Sequence, residues 1–217
     1  ILALPLVGIV MYFSAGKSRV AKLFQREMKK IEEEMGDVLE QEPEVRRHMD
    51  ELDLGVSNQS RYLERMAGAP VYEHTVTEYF SVGEDWFARY VEEHKKAKHY
   101  IFLEFFIVSP GYMWNTVLDI LKEKVKEGVD VRLIYVGMIC VTTMPPKYYK
   151  VLQSYGIKCA AFNPFRPVLN LIQNNRDHRK ITVIDGHTAF TGGINLSDEY
   201  INQWERYGHW KDSGIYL

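Results

Sequence analysis

At 217 residues the chain is long enough for one substantial α/β domain with further segments attached. Its 27 basic residues are matched by 29 acidic ones, for a net charge of −2, which excludes a nucleic-acid binder that works by bulk positive charge. Cys140 and Cys159 lie in or near apolar strands, without C-x-x-C spacing or a histidine at metal-ligand spacing, and read as buried, reduced thiols.

Residues Ile1 to Ala15 are uncharged and almost wholly apolar. As a helix they reach about 22 Å, short of the roughly 30 Å hydrocarbon core, and read as the C-terminal part of a membrane span, residues 1–16. Lys17, Arg19, Lys22, Arg26, Lys29 and Lys30 follow the apolar run, the reverse of a secretory signal, and place that flank and all that follows in the cytoplasm. A buried core helix is the competing reading.

From Lys17 to about Asp53 the chain is charged, first basic and then acidic. Val20, Leu23, Phe24, Met28, Ile31, Met35 and Val38 keep three-four spacing, which predicts an amphipathic helix. Its basic part suits anionic headgroups; a solvated helical connector is the alternative. Leu54 to Pro70, with its Gly, Ser, Asn and Pro, reads as a linker, so residues 17–70 form a connecting region and a globular domain spans 71–217.

Within that domain the pattern predicts a helix over Glu84 to Lys98, a buried strand over Tyr100 to Val108 and a second helix stopping at Gly128. A strand over Val129 to Tyr135, a helix over about Pro146 to Tyr155 and a strand over Ile157 to Phe162 follow. Strands separated by such helices imply βαβ crossovers and a largely parallel core sheet. A proline-bearing loop, Asn163 to Asn175, leads to an alternating strand, Lys180 to Asp185. Gly186-His187 turns the chain into Thr188 to Thr191.

The chemistry concentrates in His178-Arg179-Lys180, Asp185, Gly192-Gly193 and Asn195. On an extended chain His178 and Lys180 project to one face, so one phosphate can meet both. A neutral imidazole can attack phosphorus and a lysine ammonium can neutralise the non-bridging oxygens. Gly192 and Gly193 permit close backbone approach to an oxygen, and Asn195 offers an amide donor. No metal-ligand cluster is visible and this chemistry requires neither metal nor cofactor. H-x-K alone is weak: His94-Lys95-Lys96 and His209-Trp210-Lys211 share it without the following Asp, and His94, in a charged helix, is expected at the surface.

The pattern H-x-K-x4-D-x6-G-G-x-N resembles the HKD signature of the phospholipase D superfamily. Phe162-Asn163-Pro164-Phe165-Arg166-Pro167, Asn175-Arg176-Asp177-His178-Arg179-Lys180 and Gly192-Gly193-Ile194-Asn195-Leu196-Ser197-Asp198-Glu199-Tyr200 are similar to bacterial cardiolipin synthases in particular. The resemblance implies a phospholipase D-like α/β domain, with a mixed, largely parallel sheet flanked by helices. It implies transfer of a phosphatidyl group from one phosphatidylglycerol to another at the cytoplasmic side of the cell membrane, with no nucleic acid involved. In this family a carboxylate in a Trp-basic-Asp segment orients the imidazole, and Trp210-Lys211-Asp212 matches it, so Asp212 is the implied partner of His178. Asp185 is implied in the catalytic set, more as a fixer of turn and strand than as a reactant. Glu104 is a candidate for the site rim, with a satisfied strand carboxylate as its alternative; Arg176 and Arg179 flank the site.

Two departures qualify the resemblance. Val136-Gly137-Met138 stand where relatives tend to be acidic. Only one motif is present, whereas the family brings two together on one chain or in a dimer, because the leaving alkoxide needs a second histidine as general acid. His178 is thus nucleophile or general acid, its partner a second motif on the same polypeptide or on another subunit. This chain alone is expected to have little transferase activity. A hydrolase, a phosphatidylserine-forming transferase, a single-motif dimeric nuclease and a non-catalytic membrane scaffold remain as other readings of the same residues.

Overall fold

A computed structural model describes residues 5–9, 19–35, 39–164, 176–206 and 208–217. They fall into two compact units, Ile1–Thr75 and Val76–Leu217.

In the first unit residues 5–9 are helical, with Leu6 and Val7 exposed. The rest of the expected membrane segment lies outside the described residues, and among those described no helix is long and apolar enough to cross a membrane. The charged region forms α1 (Arg19–Met35) and α2 (Pro43–Leu52), separated by the non-helical residues 39–42. Leu54 to Pro70 is not a loop. Leu54–Ala67 is a third helix, α3, whose first turn is capped by Asp53 accepting from Val56 N–H at 3.0 Å. It ends at Gly68 in the left-handed conformation, φ 61°. Of the residues that suggest a linker, α3 buries the two serines. Ser57, Ser60, Arg61 and Glu64 face α2, and Arg46 reaches Ser60 Oγ at 2.5 Å and pairs with Glu64. Asp50 holds Arg61 at 2.5 Å and accepts from Ser57. Val56, Tyr62, Leu63 and Met66, on the opposite side of α3, are exposed.

The second unit is built on one seven-stranded sheet. Its strands are β1 (Glu78–Phe80), β2 (Tyr100–Phe105), β3 (Asp130–Val136), β4 (Lys158–Phe162), β5 (Lys180–Ile184), β6 (Thr188–Gly192) and β7 (Gly214–Tyr216), in spatial order β1-β7-β6-β5-β2-β3-β4. The sheet is mixed, as expected, but its balance is the reverse of the expectation. Only β2–β3 and β3–β4 pair parallel; the other four pairings are antiparallel. Parallel neighbours need a crossover, and only α5 (Tyr112–Lys126) and α6 (Tyr148–Ser154) supply one, whereas β5 and β6 are joined by the three-residue turn 185–187.

Alternation along β2 buries Ile101, Leu103 and Phe105 and leaves Phe102 and Glu104 half-buried on the other face. Against the buried face pack α4 (Gly83–Lys96), through Trp86 and Tyr90, and α5, through Met113, Trp114, Val117 and Leu121, in one continuous core. Tyr90 is fully buried and its hydroxyl bonds Thr182 Oγ1 of β5 at 2.7 Å. His94, expected at the surface, has no exposure at all. It continues the Trp86, Phe87, Tyr90 stripe at helical spacing, and its Nδ1 meets the Tyr90 carbonyl at 2.7 Å. Both cysteines are free and buried, and burial pushes the Cys159 thiol up to about 12.

Candidate active site

The site is carried by β5, β6 and the segments flanking them. Asp185 (φ 53°) and Gly186 (φ 78°) make the tight turn between the two strands. The Asp185 carboxylate accepts from three successive backbone amides, Lys98, His99 and Tyr100, each at 2.8 Å. Burial pushes its pKa up, but the three N–H groups of Tyr100, Lys98 and His99 outweigh burial and hold it below the usual carboxylate range. Asp185 therefore ties the β5–β6 turn to the start of β2 and reaches no reacting group.

His178 and Lys180 are brought together, though not by lying on one strand face as expected. β5 begins at Lys180; His178 precedes it in an extended segment and is exposed. Both converge on Phe106, which the sequence reading did not single out. The His178 ring makes a T-shaped pair with it, centroids 4.5 Å apart, and Lys180 Nζ lies 5.1 Å from its centre. The His178 imidazole makes no hydrogen bond to a described residue, whereas Lys180 is buried and donates to the His178 carbonyl at 2.6 Å. Burial lowers the Lys180 ammonium pKa, and the negative charges of Asp212 and Asp177 oppose the fall.

No hydrogen bond joins Asp212 to His178. Asp212 Oδ1 accepts from Ser213 N–H at 2.8 Å, and the carboxylate lies against Gly193, where an added Cβ would stand 2.0 Å from Oδ1. Its field acts on Lys180. The two glycines likewise serve the fold before any ligand. Gly192, at φ 147°, pairs with Gly214, and a Cβ on it would meet the Ser213 carbonyl oxygen at 2.5 Å. The Gly193 N–H donates to that same carbonyl at 3.0 Å.

Asn195 is also committed elsewhere than expected. It is 2% exposed, its Oδ1 accepts from Ile107 N–H at 2.9 Å, and its Nδ2 donates to the Tyr200 hydroxyl at 2.8 Å. It fixes the chain just beyond β2, next to Phe106, and presents no amide to a phosphate. Three residues on, the Asp198 carboxylate caps α5, accepting from Tyr112 and Met113 N–H at 2.8 and 2.7 Å.

Glu104 is tied to the segment that bears the histidine. The Arg179 guanidinium clasps Asp177 through Nε (3.0 Å) and Nη2 (2.8 Å), and its Nη2 also stands 2.8 Å from Glu104 Oε1. That last contact is out of line for a hydrogen bond, and Glu104 Oε1 is buried without one. Burial, then the adjoining Asp177, push the Glu104 carboxyl up to about 7 against the pull of Arg179. Arg179 holds Asp177 well below the usual range. Among the described residues no group of three or more His, Cys, Asp or Glu is arranged to hold a metal.

Compared with known proteins, residues 90–206 match the family described as cardiolipin synthase, PLD-like domain. The chain is 33% identical over 222 residues to a cardiolipin synthase of Alkalihalophilus pseudofirmus, covering 99% of this chain and 43% of that protein. It is 48% identical over 160 residues to an uncharacterized protein of Streptococcus mutans, covering 74% of this chain and 35% of that one. The chain thus spans less than half the length of these relatives. Among solved structures, the phosphatidylserine synthase of Haemophilus influenzae Rd KW20 superposes with a TM-score of 0.52 at 18% identity, over 65% of this chain and 32% of that one, a likeness of fold.

Proposed function

We propose phosphatidyl transfer as the reaction served by this chain, which belongs to the cardiolipin synthase, PLD-like domain family. A nitrogen of the His178 imidazole attacks the phosphorus of one phosphatidylglycerol, a P–N bond forms, and the P–O bond to the terminal glycerol breaks. The departing alkoxide takes a proton from a general acid and leaves as glycerol. A hydroxyl of a second phosphatidylglycerol then gives its proton to that same acid group, now deprotonated and acting as a base, and attacks; the P–N bond breaks and cardiolipin is released. One phosphodiester is exchanged for another, so no nucleotide drives the step.

The observation that carries this reading is the pairing on Phe106 of an exposed, unbonded imidazole with a buried ammonium. The His178 ring is free to become a nucleophile or to hand over a proton. Lys180, whose charged form Asp212 and Asp177 favour against burial, neutralises the non-bridging oxygens. Asp212 supports the lysine's charge. The second histidine comes from another H-x-K-x4-D motif, on the same polypeptide or on a second subunit. The substrate is a bilayer lipid, so the site works at the cytoplasmic surface of a membrane.

The test is product analysis with labelled phosphatidylglycerol vesicles and the full natural polypeptide that contains this chain. Cardiolipin and glycerol are expected in equal amounts, with an acid-labile phosphohistidine that disappears, along with the activity, in His178→Ala. Phosphatidic acid without cardiolipin would assign a hydrolase, and product formed only with added serine would assign a different acceptor. The 217-residue chain alone is expected to yield little cardiolipin, and robust turnover by it would overturn the need for a second motif.

A further inference from the structure

β2 ends at Phe105 and the chain bends at Phe106, so Glu104 and Phe106 meet different partners. In residues 177–180, which lead into β5, alternate side chains part. Asp177 and Arg179 go to Glu104, while His178 and Lys180 go to Phe106. β2 and β5 are held in register by the ladder, with Glu104 opposite Ile181, but the ladder ends at Lys180 opposite Phe105. Beyond that point the contact with Phe106 and this side-chain clasp connect the histidine's segment to the end of β2. The guanidinium is planar and engages Asp177 by two parallel bonds, and the Nη2 that makes one of them is also the ion-pair partner of Glu104.

We propose that Glu104 is a positioning residue that, through Arg179 and Asp177, pins the segment carrying His178 to β2 and so holds its imidazole against Phe106. The charge balance adds a second property. With Glu104 protonated, the cluster of one carboxyl, one carboxylate and one guanidinium is neutral. With Glu104 ionised it carries a net negative charge beside the place where an anionic phosphodiester must bind. The raised Glu104 carboxyl puts that change near neutrality. The other charges on this side of the sheet do not compensate. Arg132 of β3 is bound to Asp130 at 2.8 Å and lies over Phe102, and Lys158 of β4 pairs with the same Asp130. Lys180 belongs to the Phe106 side.

The pH dependence rests on phosphatidyl transfer as the reaction; the positioning does not, and the experiment separates them. Glu104→Gln mimics the protonated acid, and Glu104→Ala removes the clasp. In the full natural polypeptide, cardiolipin formation by the unchanged protein is expected to decline as pH rises above about 7, and Glu104→Gln to abolish that decline while keeping turnover near pH 6. Glu104→Ala is expected to lower kcat by about tenfold to a hundredfold with KM little changed, the signature of misplaced reacting groups. Independently of any activity, the His178 ring stands T-shaped to Phe106 with centroids 4.5 Å apart, so its protons carry a ring-current shift in the proton NMR spectrum. That shift is expected to collapse in Glu104→Ala and to persist in Glu104→Gln, with thermal unfolding confirming that both variants fold. An unmoved His178 resonance in folded Glu104→Ala overturns the positioning role, whatever the substrate proves to be. Identical pH profiles for Glu104→Gln and the unchanged protein overturn the charge effect. Absence of cardiolipin in every sample sinks the proposed reaction and leaves the NMR result to decide the clasp.

Discussion

The Asp212 carboxylate occupies the space that a side chain on Gly193 would need, since a Cβ there would stand 2.0 Å from its Oδ1. Gly193 is therefore a condition for Asp212 being where it is, and through Asp212 it bears on Lys180, where that carboxylate opposes the lowering of the ammonium pKa by burial.

Alanine at Gly193 is expected to push aside a carboxylate at the end of a rotatable side chain, a movement that costs within about 1 kcal/mol of stability. It is expected to lower phosphatidyl transfer by about tenfold or more through the displaced charge. Alanine at Gly192 meets a backbone oxygen at φ 147°, where neither side can give, and is expected to cost about 2–3 kcal/mol. Urea unfolding alongside turnover separates the two. Full activity in Gly193→Ala would show that Asp212's position is irrelevant to the chemistry.

Asp185→Ala removes the acceptor of three backbone N–H groups at the mouth of the β2–β5 ladder. Water can replace part of what is lost at Lys98 and His99, which are exposed, so the expected cost is about 2 kcal/mol. The folded pKa of Asp185 is depressed, so its contribution is fully present above the unfolded value of about 3.9 and is lost as pH falls through the lower folded value. In a denaturation series against pH, the unchanged protein is expected to lose this increment only in strong acid. Asp185→Ala should show no such step.

His94 predicts a different acid window. Burial lowers its folded pKa to about 4, with the bond to the Tyr90 carbonyl opposing. The unfolded chain binds a proton near pH 6.5 and the folded chain does not, so stability is complete above about 6.5 and falls progressively as pH drops towards 4. The loss across that window is expected to be on the order of 3 kcal/mol. His94→Phe, which cannot titrate, should flatten the slope between pH 6.5 and 4 whatever its stability at pH 8. An unchanged slope would place the proton uptake on another group.

The α2–α3 hairpin buries Ser57 and Ser60 together with Val45, while Val56, Tyr62, Leu63 and Met66 of α3 stay exposed. Arg46→Ala strips Glu64 and Ser60 of their shared donor and is expected to cost about 2–3 kcal/mol, read as faster amide exchange across residues 43–67. Leu63→Gln, on the exposed side, should change that exchange by no more than about 0.5 kcal/mol. Equal effects would mean that the polar contacts do not hold the hairpin.

Much of this architecture is legible in the residues themselves. The alternation of Lys180 to Ile184 and the Asp-Gly turn give the β5–β6 hairpin, and apolar runs broken by helices give the β2–α5–β3–α6–β4 crossover. The pairing of His178 with Lys180 is suggested by their spacing, but the contact that joins them is Phe106 and not a shared strand face. What is not legible is the identity of partners across long stretches of chain. Asp185 finds amides 85 to 87 residues away, and Asn195 one 88 residues away. Local pattern cannot encode these distances; they are set by which strands become neighbours. α3 and His94 fail for a different reason. Composition suggests loop for one and surface for the other, whereas Asp53, Gly68 and the buried stripe of α4 decide otherwise.

Asp185, Gly192 and Asn195 are committed to backbone groups of the scaffold, whereas the His178 ring makes no hydrogen bond to a described residue. A descendant that abandoned the proposed reaction would still need those three residues to fold, and would be free to change the histidine. Retention of the carboxylate, the first glycine and the amide in a distant relative thus records common architecture, and the imidazole is the position to inspect before inferring turnover.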